Sequence, residues 1–255
     1  MTDPRTPTQA TAANAGASRQ ILEGAAPGAV VRPDPRLAQA FITQAFFWMF
    51  VGLLISAGVA AVVQVNPRLL DFAAENFFLI AIGQLILVFG ISFGITRINA
   101  TLALGLFFVY AASMGLTLGL ILTAYLSEPG GQASVVTAFL SAAAMFGAAA
   151  IYGAVTKRDL SSIGRILFMG LIGLIVASVL NLFLGSSQIT WVISIVGVVI
   201  FTGLTAWDVQ RIQNGTFAVA TGSMEKGAVI GALALYLDFI NLFLFLLRLF
   251  GGSRS

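Results

Sequence analysis

Seven stretches of about 20 apolar residues constrain this chain more than any other feature. They run over roughly 41–63, 77–96, 102–126, 135–155, 166–184, 189–208 and 229–250. A hydrocarbon core takes about 20 residues of helix to cross. Barrel strands would instead alternate over about ten residues, and these runs are continuous. A helix also satisfies its own backbone polar groups, as lipid demands. The sequence therefore predicts an all-α membrane protein, a seven-transmembrane-helix bundle. Composition agrees, with 58% hydrophobic and 9% charged residues and a mean hydropathy of +0.98. A soluble domain carries roughly 25% charge. Pro67 and Pro129 fall in the expected connections. Gly90 with Gly94, and Gly115 with Gly119, have the GxxxG spacing that lets helices approach closely.

Residues 1–36 differ from the rest, with Pro4, Pro7, Pro27, Pro33 and Pro35 among Ala, Thr, Gly and Ser. Such a segment buries too little surface to offset its ordering entropy. It is expected to be a disordered cytoplasmic tail ahead of a transmembrane domain over 37–251. It is not expected to act as a signal peptide, because the first apolar run begins only near Phe41. Basic residues set orientation. With the tail inside, Arg97, Lys157, Arg158, Arg165, Arg211 and Lys226 are cytoplasmic, while Arg68, Arg248 and Arg254 lie outside with Asp71, Glu75 and Glu128. A re-entrant last segment would return Arg248 and Arg254 to the cytoplasm. A full crossing is preferred, because 229–250 is long and lacks Pro or Gly beyond Gly231.

The chain has neither cysteine nor histidine. Zinc sites, haem ligation, thiol catalysis and Ser-His pairing are thereby excluded. Any pH response must come from carboxylates. A net charge of +3 without a basic run interleaved with aromatics gives no nucleic-acid footprint. No enzyme chemistry is expected. The two acids in the spans do not sit in a Gly-x-Gly-Asp sequence, and no Pro-Ala-Leu element accompanies them, which argues against an intramembrane aspartyl protease. Lys157 and Lys226, the only lysines, fall in expected loops, which argues against a retinal protein.

Asp238 lies well inside the last apolar run, in Leu235-Tyr236-Leu237-Asp238-Phe239-Ile240-Asn241. An acid at a helix centre costs roughly 2.5–3.5 kcal/mol on insertion scales and usually faces a polar interior. Asn241 shares its helix face and is a candidate ion-coordinating neighbour. Asp208, in Ala206-Trp207-Asp208-Val209-Gln210-Arg211, sits near the cytoplasmic end of the sixth span. Alone it reads as an interfacial residue. Paired with Asp238 it would share a proton, because two close carboxylates cannot both ionise cheaply. Depth opposes the pairing. Asp238 lies about nine residues, or roughly 14 Å, into its span, so the sixth helix would have to continue through Ile212 or a wet vestibule reach inward. Arg97, closing the second span, is either a topological anchor or the counter-ion to one of the acids.

These segments resemble a known family. Ala234 through Phe243, followed by Leu247-Arg248 and Gly251, closely resembles the C-terminal signature of the Bax inhibitor-1 family. Tyr152 and Thr156-Lys157-Arg158-Asp159-Leu160-Ser161 look like its loop after the fourth span, and Ala206-Trp207-Asp208 with Ile212 its sixth-span motif. The resemblance implies a seven-helix fold with the last helix central. It implies a pH-sensitive calcium leak gated by two aspartates, which map onto Asp208 and Asp238, with the family's second-span arginine at Arg97. The expected cargo is calcium, held at most at a weak transit site on Asp208 and Asp238, with no tightly bound cofactor. Expected partners are the lipid bilayer, calcium and protons, and the expected location is the cell inner membrane. The alternative is a non-transporting regulator of membrane quality control that responds to stress and binds a membrane protease through the tail.

Overall fold

The structure, a computed structural model, describes residues 35–251, with side chains from Gln39 onward. The expected tail over 1–36 lies outside the described residues except for its last two positions, which open the first helix. Among the described residues all regular structure is helical. The long helices are α1 (Pro35–Val65), α3 (Phe77–Gly94), α4 (Ala100–Leu126), α5 (Gly131–Val155), α6 (Ser161–Leu184), α7 (Ser187–Gln213) and α9 (Met224–Gly251). Two short helices, α2 (Pro67–Glu75) and α8 (Thr216–Thr221), lie between them. All seven long helices are apolar and long enough to cross a membrane. Each apolar run seen in the sequence is one of them.

The connections explain where the spans stop. Pro67 opens α2, where its missing N–H costs nothing, and the Asn66 side chain accepts hydrogen bonds from the N–H groups of Arg68 and Leu69. Gly215 and Gly222 bracket α8 at φ +67° and +69°, the left-handed region that favours glycine. The chain can thus reverse twice between α7 and α9 in a few residues.

The spans differ sharply in how much of them is enclosed. The apolar core of α9 is 72% buried, whereas those of α3 and α6 are 11% and 6% buried. The outer helices thus leave their apolar side chains to lipid, which is as apolar as leucine. The last helix touches α1, α4, α5, α7 and α8. Lys226, in its first turn, donates to the Thr96 carbonyl in the α3–α4 turn at 3.3 Å. At its other end the Phe250 carbonyl accepts from the Ser134 hydroxyl at the start of α5, also at 3.3 Å. The Tyr125 ring, from the end of α4, packs directly on Gly251. Helix α9 therefore traverses the whole bundle and does not turn back.

Glycine sets two of the closest approaches. Val59 and the Ser56 carbonyl of α1 lie where a Gly115 Cβ would stand, and Val63 does the same at Gly119. This GxxxG pair is the α1–α4 contact. Gly90 and Gly94 on α3 face open space. At the heart of the bundle Ser56 donates to the Ala111 carbonyl at 2.7 Å and meets the Tyr236 hydroxyl at 2.6 Å. One hydroxyl thereby joins α1, α4 and α9.

Candidate functional site

Helices α7 and α9 run antiparallel, and two glycines fix their register. Ile212 lies on Gly231, and the Phe245 ring lies on Gly197. That register brings Thr205 opposite Asp238. It leaves Asp208 about three residues, or about 4.5 Å of rise, nearer the basic end of the bundle. Both acids are enclosed, with Asp238 only 4% and Asp208 8% exposed. The depth problem posed by the sequence is resolved by the length of α7, which continues through Gln213. The vestibule is not needed to bring the acids within one helical turn of the same depth.

The two carboxyl groups have different partners. Asp208 accepts a hydrogen bond from the Arg211 guanidinium at 3.0 Å, within one turn of the same helix. That guanidinium is itself held by two aromatic faces, 4.5 Å from the Trp207 ring centroid and 4.1 Å from that of Phe217. Such cation–π contacts fix a long side chain that would otherwise sample many rotamers. Asp238 lies within electrostatic reach of Asp208 and Arg211, with the Thr205 hydroxyl against it. The Thr205 proton goes to the Phe201 carbonyl at 2.8 Å. The same hydroxyl also stands within hydrogen-bonding reach of the Asp238 carboxyl. Among the described residues nothing hydrogen-bonds to Asp238 Oδ2, which is buried.

Arg97 is not brought to this pair. It is exposed in the turn between α3 and α4, and the cation on Asp208 is Arg211. Asn241 is half-buried, and its amide donates back to the Leu237 carbonyl of its own helix at 2.8 Å. Beside the acids, Gln210 ties down the turn between α5 and α6. Its side chain accepts from the Leu160 N–H at 2.8 Å and donates to the Arg158 carbonyl at 2.7 Å. Among the described residues no group of three or more acidic side chains gathers as a metal site.

The profile of the family described as "Inhibitor of apoptosis-promoting Bax1" matches residues 38–255, which is nearly the whole described chain. The chain belongs to the Bax inhibitor-1 family. Its relatives in that family include the inner membrane protein YbhL of Escherichia coli K12. That protein is 42% identical over 231 residues, covering 88% of this chain and 96% of YbhL. An uncharacterized protein of Deinococcus radiodurans is 42% identical over 218 residues, covering 85% of this chain and 92% of its own. An uncharacterized membrane protein of Streptococcus pyogenes is 43% identical over 215 residues, covering 84% and 86%.

Family motifs drew attention to Asp208 and Asp238, but not to Thr205, Gln210, Ser56 or Tyr236. One sequence signal was available for Arg211. It follows Asp208 by three positions, the spacing at which helical side chains meet. Ser56 and Thr205 gave none, because a lone hydroxyl in an apolar run usually bonds its own helix.

Proposed function

We propose that this protein is a pH-sensitive leak pathway for calcium across the cell inner membrane, with its N-terminus cytoplasmic and the Asp208–Asp238 pair as its gate. It acts as a conduit and not as an enzyme. The observation that carries this reading is the enclosed Asp238 carboxyl. It has an unpartnered buried oxygen and a second carboxyl, that of Asp208, within electrostatic reach.

In the closed state the pair holds a proton, so no unpaired charge faces the apolar bundle. Loss of that proton leaves two like charges within electrostatic reach of each other. Two unit charges about 4–6 Å apart at an effective dielectric of roughly 20 repel by about 3–4 kcal/mol. About 5.5 kcal/mol moves a two-state population from 1:99 to 99:1, so repulsion of this size does much of the work of opening. Calcium between the carboxylates would relieve it, and protons and calcium therefore compete. Calcium takes six to eight oxygen ligands. Two carboxylates with water and carbonyls bind it weakly, as a pathway that must release its cargo requires. Arg211 keeps Asp208 as the charged member of the pair.

Calcium flux into liposomes holding the purified protein, followed from about pH 5 to 8, where a shared proton on a carboxylate pair would titrate, tests the reading. Asp238→Asn removes the titrating carboxyl and so loses the pH dependence, while Asp208→Asn removes the like charge beside it and moves the midpoint downward. If both variants keep the wild-type profile, the pair is not the gate.

A further inference from the structure

A groove of about 320 Å³ opens between the basic ends of α5, α6 and α7. Ala149, Tyr152, Leu160, Ile163, Gly164 and Trp207 line it, so its walls are apolar. Gly164 makes the groove's shape, because a Cβ there would collide with the Trp207 ring. The ring packs against α6 at Gly164, and the Arg211 guanidinium stands over its face. It is a fixed wall.

The chain segment that borders the groove is cationic. Lys157 and Arg158 precede Leu160, Arg165 follows Gly164, and all three are exposed. The acid among them, Asp159, accepts the Ser161 N–H at 2.8 Å. Hydrogen bonding to Ser161 holds that carboxyl below its ordinary range, so it stays charged at neutral pH. Three cations against one anion leave a net charge of two positive. The groove also lies where α5 ends and α6 begins, at the end of two membrane-spanning helices, where headgroups are expected. An apolar slot beneath a cationic rim at that depth matches a ligand with an acyl chain and an anionic head. Basic pockets between membrane helices take anionic headgroups in this way.

We propose that this groove binds an anionic phospholipid of the bordering leaflet, its acyl chain against Trp207 and its phosphate head at Lys157, Arg158 and Arg165. The inference is independent of calcium transport. The test uses the full chain with Trp48→Phe and Trp191→Phe, leaving Trp207 as the only tryptophan. It is reconstituted in phosphatidylcholine bilayers carrying brominated phosphatidylglycerol or, at equal mole fraction, brominated phosphatidylcholine. Quenching of Trp207 should favour the anionic lipid by at least about fivefold at low salt, the factor given by about 1 kcal/mol for one basic residue near an anionic headgroup. The preference should fall as salt screens the rim. In the Lys157→Gln/Arg158→Gln/Arg165→Gln variant it should fall to unity. Equal quenching by the two lipids in the protein with its native rim overturns the proposal. So does a preference that salt does not diminish, an arm that needs no altered rim. A preference surviving in a folded triple variant overturns it as well.

Discussion

The Ser56–Tyr236 contact allows a sharp test of how the bundle is held together. Ser56 is 1% exposed and Tyr236 is fully buried. The Ser56 hydroxyl has carbonyl acceptors in Ala111 at 2.7 Å and Gly52 at 3.1 Å, so we assign the tyrosine as the donor across the 2.6 Å contact. Tyr236→Phe removes that donor and leaves Ser56 still bonded. The ring keeps its edge-on contacts with Phe107 and Tyr110, at 5.5 and 5.8 Å between centroids. The loss should equal one hydrogen bond inside a membrane, about 0.6 and at most about 1.7 kcal/mol. Ser56→Ala differs, because it strands a buried tyrosine hydroxyl, which costs about 1–3 kcal/mol. The double variant strands nothing. Its loss should fall short of the sum of the single losses by about 1 kcal/mol. Unfolding by sodium dodecyl sulfate titration in mixed micelles, followed by far-ultraviolet circular dichroism, measures all three. Losses that add to within about 0.3–0.5 kcal/mol, as independent sites do, would refute a hydrogen bond between Ser56 and Tyr236.

The two GxxxG pairs should behave oppositely in the same assay. Gly115→Ala drives a methyl against Val59 and the Ser56 carbonyl and should cost about 1–3 kcal/mol. Gly90→Ala meets nothing and should be neutral or stabilise by up to about 1 kcal/mol; equal losses at the two sites would show that α1 and α4 are not in close contact. In the flux assay, Arg211→Ala should move the pH midpoint upward by about one to three units, because removing the cation favours the protonated pair. Arg97→Ala should leave the midpoint in place, and a shift there instead would return the counter-ion role to Arg97. With no native cysteine, single cysteines at Asn214 and Ser127 report orientation directly. Both positions are exposed, and Asn214→Cys should react only from the cytoplasm and Ser127→Cys only from outside.

The spans were legible because hydropathy needs no partner to be read. Their ends were less so. Hydropathy ended the sixth span at Asp208, yet α7 runs to Gln213. The polar residues of that last stretch find partners without breaking the helix, Asp208 in Arg211 and Gln210 in the α5–α6 turn. The start of α9 at Met224 was hidden for a similar reason, since Glu225 and Lys226 read as loop although they form its first turn. Spacing alone could not say which GxxxG pair is partnered, because both present the same face to whatever lies opposite. The acids were visible as expensive residues in apolar runs. Their surroundings were not, because Thr205 and Ser56 acquire meaning only from the helices set across from them.

The burial of α9 also has a consequence for how the protein is made. The most enclosed of the seven spans is the one translated after the other six. Until it emerges, Gly52, Ser56, Thr205 and Asp208 border an unfilled slot, as do the aromatic faces of Phe107 and Phe146 that it will cover. An incomplete chain in the bilayer therefore carries a polar seam that the finished bundle seals. Insertion of α9 is the step that closes it, carrying a carboxyl group past the headgroups as it enters. A chain that stops before residue 224 would leave six spans with that seam open to lipid.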